Sequence, residues 1–200
     1  MNHPPDAALA TAPASASHRP GLPSRDPGRQ ARDLALGGML LALAVLVPIL
    51  FHAVGWAGKV FLPMHLPVLM AGLLLPPGIA AAVGFVAPLT SAALTGMPPL
   101  VPFALLMAPE LATLAAVASV VYVRARPLRG GVWLALLAAM VAGRCVTSLE
   151  ILAVAPLLGF HASAYAYVIL GAATGTPGLI LQLTVVPAAM RALERAGVSR

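Results

Sequence analysis

Long apolar runs, separated by short polar or proline-containing breaks, organise most of this chain. Six such runs occur, at residues 34–51, 62–75, 79–94, 101–123, 132–157 and 164–190. A helix that crosses a bilayer needs about 20 apolar residues, and shorter helices are tolerated where protein covers one end. The pattern therefore predicts an all-α integral membrane protein with six transmembrane helices, the second of them short and proline-bearing.

Prolines and glycines mark two of the breaks. Pro76, Pro77 and Gly78 separate the second run from the third, and the sequence Gly-Met-Pro-Pro at residues 96–99 separates the third from the fourth. A proline pair cannot continue a helix, because each ring removes a backbone donor and clashes with the preceding turn. Both breaks predict tight turns.

The two ends of the chain differ from this apolar region. Residues 1–30 are rich in Pro, Ala, Ser and Arg and have no apolar period, which predicts a disordered cytoplasmic tail. The first apolar run lacks the short core and clean cleavage site of a secretory signal, so we expect it to remain as a span. The predicted organisation is a tail at 1–30, a six-helix domain at 31–195 and a short tail at 196–200.

Composition agrees with a membrane protein. The 200 residues are 60% hydrophobic and 9% charged, and the mean hydropathy is +0.94, outside the range of ordinary soluble domains. The single cysteine, Cys145, excludes a disulfide or a multi-cysteine metal site within one chain.

The basic residues indicate an orientation. Apart from Arg144, the arginines precede the first run, lie between the fourth and fifth, or follow the sixth, whereas Lys59 falls on the opposite face. The positive-inside rule then places both termini in the cytoplasm, as an even number of spans requires. The net charge of +6 is not interleaved with aromatic residues, so we expect no nucleic-acid partner.

Three charged residues fall inside the predicted spans: Glu110, Arg144 and Glu150. Charges at this depth are costly and mark candidate functional sites. Glu110 and Arg144 both fall near the middle of their helices and could pair, either to bind a substrate or to fasten two helices. Glu150 lies nearly two turns from Arg144 on a different helix face, so we expect it to face an outer cavity with Thr147.

Several uncharged or neutral polar groups add to this set. Gln182 in the sixth run and Thr95 at the end of the third could serve a site or bond neighbouring helices. Three histidines, His52, His65 and His161, are expected near the outer face, where they would cap loops or, as an alternative, bind a metal ion.

The chain lacks the motifs of the common enzymes. Lys59 is the only lysine and is followed by Val60, so no P-loop is possible, and no HExxH or GxSxG sequence occurs. We therefore expect neither an enzyme nor a bound cofactor. If the protein transports a solute, the energy must come from a partner or from an ion gradient.

Three long stretches resemble the substrate-binding S components of energy-coupling factor (ECF) transporters, a class of vitamin importer. They are VPILFHAVGWAGKVFLPMHLPVLMAGLLLPP at 47–77, PLTSAALTGMPPL at 88–100 and GTPGLILQLTVVPAAMRALE at 175–194. They are similar to a bacterial subgroup of these proteins with no settled substrate, and the resemblance covers most of residues 33–195.

The resemblance implies a function and partners. Such proteins bind a water-soluble vitamin or precursor in an outward-opening pocket, then topple against a transmembrane coupling subunit that two cytoplasmic ATPases drive, in the bacterial cytoplasmic (inner) membrane. Small residues on the first helix form the coupling-subunit interface, and Gly38 and Ala42 occupy the matching positions here.

The resemblance also suggests which residues meet the substrate. Lys59 and His65 would form the lid and pocket wall, and the full set of candidate substrate contacts is Lys59, His65, Thr95, Glu110, Arg144, Thr147, Glu150 and Gln182. Three alternatives stay open: a self-contained secondary transporter, a metal-ion-binding S component that uses the histidines, and a non-transporting membrane scaffold.

Overall fold

A computed structural model describes residues 26–52, 62–158 and 164–197, with residues 51–52, 155, 158, 164–172 and 174 described by their backbone alone. The described residues form helices and turns without a strand. The helices are α1 (Pro27–His52), α2 (His65–Leu74), α3 (Pro77–Thr95), α4 (Leu105–Ala125), α5 (Gly131–Ala153) and α6 (Ala164–Arg195). An irregular helical turn, Leu100–Ala104, leads into α4, and a short 3-10 helix, Ala155–Leu158, follows α5.

Five of the six predicted spans are confirmed as helices of spanning length. Within the described ranges, α1, α3, α4 with its preceding turn, α5 and the last 21 residues of α6 are long and apolar enough to cross a membrane. The second run forms only the 10-residue helix α2, which is about 15 Å long and half the thickness of a bilayer core. Because α1 begins at Pro27, the predicted tail boundary at residue 30 falls inside a helix.

The two predicted breaks are present. Pro76 precedes α3 and Pro77 is its first residue, a position where the missing N–H of proline costs nothing. At the other end of α3, the Ser91 hydroxyl donates a hydrogen bond to the Met97 carbonyl oxygen at 2.7 Å. Gly96, with φ of +72°, ends the helix and starts the turn towards Leu100.

The short helix α2 lies at the centre of the bundle, where it contacts α1, α3, α4 and α6. Val68, Leu69, Ala71 and Leu73 are fully buried, as expected for a helix that is apolar all round. Just past its end, the carbonyl oxygen of Leu75 accepts a hydrogen bond of 2.7 Å from the Ser119 hydroxyl on α4. This bond satisfies a helix-end carbonyl that water cannot reach.

Two glycines let helices approach α4 closely. A Cβ atom at Gly72 of α2 would lie 2.7 Å from the Cβ of Ala118, and one at Gly84 of α3 would lie 2.3 Å from the carbonyl oxygen of Leu111. No side chain fits at these separations. Small residues at such crossings provide the close packing that holds membrane helices together.

The residue that leads into α2 lies against α6. Leu62 packs against α6, since a Cβ at Gly175 would lie 3.2 Å from its Cδ1 atom. Gly175 lies about 16 Å along α6 from Ala164, at 1.5 Å per residue. Leu62 also has a φ of +48°, a strained conformation for a branched side chain. Irregular backbone within a membrane is tolerated where protein covers it.

Candidate functional site

An ion pair joins α4 and α5. The Arg144 Nη1 atom lies 3.5 Å from Oε1 of Glu110, and the side chains are 26% and 10% exposed. Gly143, next to Arg144, lies in ordinary contact with the Glu110 side chain, because a Cβ there would be 3.5 Å from Cγ. The predicted juxtaposition of these two residues is therefore confirmed.

Thr147 adds a hydroxyl group to this pair. It lies one helical turn after Gly143 on α5 and is buried. Its side chain lies beside the Glu110 carboxyl group, and its Oγ1 donates a hydrogen bond to the Gly143 carbonyl oxygen at 3.1 Å. Residues four apart share a helix face, which explains why Gly143 and Thr147 both meet α4.

Two further ionisable residues complete a group that we call the polar cluster, consisting of His65, Glu110, Arg144, Thr147 and Glu150. Glu150 does not pair with Arg144, and its carboxyl group lies within electrostatic range of the Glu110 carboxyl group. The imidazole of His65 similarly lies within the field of the Arg144 guanidinium group. The cluster thus draws on α2, α4 and α5.

The structure buries His65, which was expected near the outer face as part of a lid and pocket wall. Only 6% of its surface is exposed, and its side chain lines a cavity between the helix ends. The expected place in a pocket wall therefore agrees with the structure, whereas the expected position at the outer face stays a prediction.

Several buried polar atoms have no hydrogen-bond partner within the described residues. They are Nδ1 of His65, Oε2 of Glu150, and both Nε2 and Oε1 of Gln182. A buried polar atom left unpaired costs about 1–3 kcal/mol. The interior of the bundle therefore has both donors and acceptors available to a bound molecule.

Gln182 lies on the face of α6 that is directed towards α2. It is fully buried and comes seven residues, or two turns, after Gly175, which packs against Leu62. Val186 and Met190 continue the same buried stripe.

A cavity of about 500 Å³ adjoins the polar cluster and shares His65 with it. Its wall is almost entirely apolar, apart from His65 and Ser91, and it is formed by Pro48, Leu62, Pro63, Met64, His65, Ser91, Met97, Pro98, Pro99, Phe103 and Met107. A volume of this size is typical of sites for small organic ligands. We call it the proline-lined cavity.

Sequence reasoning missed most of this cavity wall. Met64, Met97, Phe103 and Met107 resemble ordinary core residues when they are considered one at a time. A signal was present, since Pro63 lies just before α2 and the pair Pro98–Pro99 lies between α3 and α4, at two places that the fold brings together. Prolines on facing breaks leave a gap between helix ends that side chains must line.

The other predicted contacts fall in different places. Lys59 lies outside the described residues. Thr95 is exposed, and its hydroxyl donates to the Ser91 carbonyl oxygen at 2.7 Å and accepts from the Met97 N–H at 3.2 Å, so it closes the turn after α3. Gly38 and Ala42 are exposed on α1, and nothing lies within 4 Å of a Cβ built at Gly38.

The part of the chain that the structure describes contains no group of side chains arranged to bind a metal ion. No three His, Cys, Asp or Glu side chains are grouped there to hold an ion. Of the three histidines in the metal alternative, His161 and the side chain of His52 lie outside the described residues. The alternative therefore stays a prediction for those two positions.

Comparison with protein families gives one match. Residues 32–190 match the model for the substrate-specific component of ECF transporters. The match begins in α1 and ends in α6, and it includes the whole polar cluster and the proline-lined cavity. Comparison with curated proteins gave no match.

Proposed function

Because this chain belongs to the family of substrate-specific components of ECF transporters, we propose that it captures a vitamin or a small cofactor precursor from outside the cell. Members of this family are subunits of transporters rather than enzymes, and the five long apolar helices make this a multi-pass membrane protein. The observation that carries the proposed binding role is the ion pair of Glu110 and Arg144, together with buried polar atoms of His65, Glu150 and Gln182 that have no partner among the described residues.

The chemistry of the interior suggests the kind of substrate. Glu110 and Arg144 offer both charge signs, while His65 and Gln182 offer neutral hydrogen-bonding groups. The adjoining cavity is apolar, which favours a ring or hydrocarbon portion over a second charge. A zwitterion or a neutral heterocycle with one polar edge satisfies both regions, with Thr147 and Glu150 as further contacts.

We propose that the substrate enters from the face opposite the arginines, with both termini in the cytoplasm of a bacterial cell. The arginines before α1, after α4 and after α6 support this orientation by the positive-inside rule. This arrangement requires an even number of crossings, so α2 must be one of the six, although its 10 residues reach through only half of the bilayer.

The family implies partnership with a coupling subunit and ATPases. We propose that Gly38 and Ala42 form the docking surface for the coupling subunit, because both are exposed on α1 and no side chain covers them. Delivery would then follow by toppling of the whole bundle within the lipid. ATP would be hydrolysed by the partner subunits, and this chain would need no cofactor.

The binding proposal can be tested with the purified protein in detergent. Water-soluble vitamins and their precursors are screened by thermal shift, and each hit is followed by calorimetry on the wild type, Arg144→Ala, Glu110→Ala and His65→Ala. We expect one compound class to raise the melting temperature and each substitution to weaken its binding by about tenfold or more, as for loss of a buried charge-assisted bond.

Thr184→Ala provides the matched control. Its hydroxyl is exposed and bonds to the Ile180 carbonyl oxygen of its own helix at 2.9 Å, so its removal should leave affinity unchanged. Failure of every compound to stabilise a folded wild-type protein, or equal weakening in Thr184→Ala, would argue against the proposed site.

A further inference from the structure

A second pocket lies far from the polar cluster, at the end of the bundle that carries Arg124, Arg126, Arg129, Arg191 and Arg195, here called the arginine-rich end. It has a volume of about 210 Å³ and lies between the α4–α5 turn and the last turns of α6. Tyr122 lines it and comes 12 residues after Glu110 on α4, or about 18 Å away. The two sites are therefore separate.

Positive charge dominates the wall of this pocket. Arg126 and Arg191 both line it, and neither forms an ion pair with a carboxylate of the described residues. Glu194 is the one carboxylate in the described wall, and its Oε1 accepts a hydrogen bond of 3.2 Å from the Tyr122 hydroxyl. Two guanidinium groups against one hydrogen-bonded carboxylate leave a net positive site.

The start of α5 adds to this positive potential. Gly130, with φ of +94°, precedes the helix and supplies no capping side chain. The N–H groups of Gly131 and Leu134 bond to the carbonyl oxygens of Leu128 and Gly130. Those of Val132 and Trp133 have no backbone acceptor among the described residues, although both residues line the pocket. Free N–H groups at a helix start favour an anion.

The size and surroundings of the pocket indicate which anion fits. Its volume accommodates a phosphate group with a few attached atoms. Arg126 and Arg191 supply the planar donors that match phosphate oxygens. Trp133 and Leu128, 38% and 58% exposed, lie at the rim, where an aromatic ring and an apolar chain meet lipid headgroups.

We propose that this pocket binds a phosphate group, presented either by an anionic phospholipid headgroup or by a free phosphorylated solute. A phospholipid agrees best with the exposed Trp133 and Leu128 beside the two arginines. Basic pockets between transmembrane helices at this membrane face recognise anionic headgroups in this way. A lipid bound here would link the α4–α5 turn to the end of α6.

The test uses the full-length protein in a zwitterionic detergent. Thermal unfolding is followed during titration with short-chain phosphatidylglycerol, with phosphatidylcholine of the same chain length, and with inorganic phosphate. We expect phosphatidylglycerol to raise the melting temperature, phosphatidylcholine to have little effect, and Arg126→Gln and Arg191→Gln each to weaken the response by about fivefold.

Arg129→Gln and Arg195→Gln are matched controls, because they remove the same charge at the same end from exposed residues outside the pocket. Stabilisation by inorganic phosphate with the same pattern of variants would support the phosphate site and identify a free solute as its source. Equal responses to the two lipids, or equal losses in Arg126→Gln and Arg129→Gln, would overturn the proposal. Arg191→Gln repeats the test if Arg126→Gln does not remain monodisperse.

Discussion

Ser119 on α4 donates a hydrogen bond to the carbonyl oxygen of Leu75 across 44 residues of chain. The bond attaches the end of the central short helix to its main neighbour. Ser119→Ala would leave that carbonyl unpaired in an apolar interior, and we expect the free energy of unfolding to fall by about 1 kcal/mol. Unfolding in a denaturing detergent titration measures this. Thr184→Ala, which removes an exposed hydroxyl bonded within its own helix, should cost much less, and equal losses would contradict the assigned role.

Gly84 gives a sharper test of the packing between α3 and α4. Because a Cβ atom there would lie 2.3 Å from the Leu111 carbonyl oxygen, Gly84→Ala must push two helices apart and should cost about 3 kcal/mol. Gly78→Ala on the same helix meets nothing within 4 Å and should leave the melting temperature nearly unchanged. Similar melting temperatures for the two variants would show that α3 and α4 are not packed this closely.

The Glu110–Arg144 pair either holds two helices together or contacts the substrate. Measurements of the free energy of unfolding and of substrate affinity distinguish these two roles. Arg144→Met leaves the Glu110 carboxylate unpaired, and we expect a loss of about 3 kcal/mol. The double variant Arg144→Met with Glu110→Leu should recover most of this stability, because an apolar pair replaces the ion pair.

Binding of the substrate should not recover in that double variant. Calorimetry with the hit from the vitamin screen checks this, with the melting temperature measured on the same preparations. Recovery of both stability and affinity would show that the pair only fastens α4 to α5.

The sequence predicted those features that depend on local chemistry. The proline breaks after residues 75 and 95 follow from the backbone limits of proline, and the meeting of Glu110 with Arg144 follows from their similar depth on adjacent helices. The sequence of one helix does not show how far a side chain on a neighbouring helix reaches. Glu150 and Arg144 lie on different faces of α5, yet Glu110 on α4 interacts with both.

The contacts around α2 were equally hidden from the sequence. The apolar run at 62–75 indicates a helix, but it does not show that Leu62 contacts Gly175, more than 100 residues away. His65 was expected in a pocket wall and does line the proline-lined cavity, but the side chains from the α3–α4 break and from α4 that complete this wall were not expected.

Adjacent glycines on α1 test the docking surface proposed for the coupling subunit. Nothing lies within 4 Å of a Cβ at Gly38, whereas one at Gly37 would lie 3.2 Å from the Ile79 side chain. Gly38→Leu should therefore keep its melting temperature and substrate affinity but lose co-purification with the coupling subunit. Gly37→Leu should instead destabilise the bundle itself. Retention of the partner by folded Gly38→Leu would exclude this surface.

The shortness of α2 also bears on how the protein enters the membrane during synthesis. Ten residues cannot hold a nascent chain across the bilayer, and the partners that bury α2 include α4, which is made later. Until then the Leu75 carbonyl lacks its Ser119 donor. We therefore expect α2 to reach its final depth as one arm of a hairpin with α3, only after the ribosome has released α4 into the lipid.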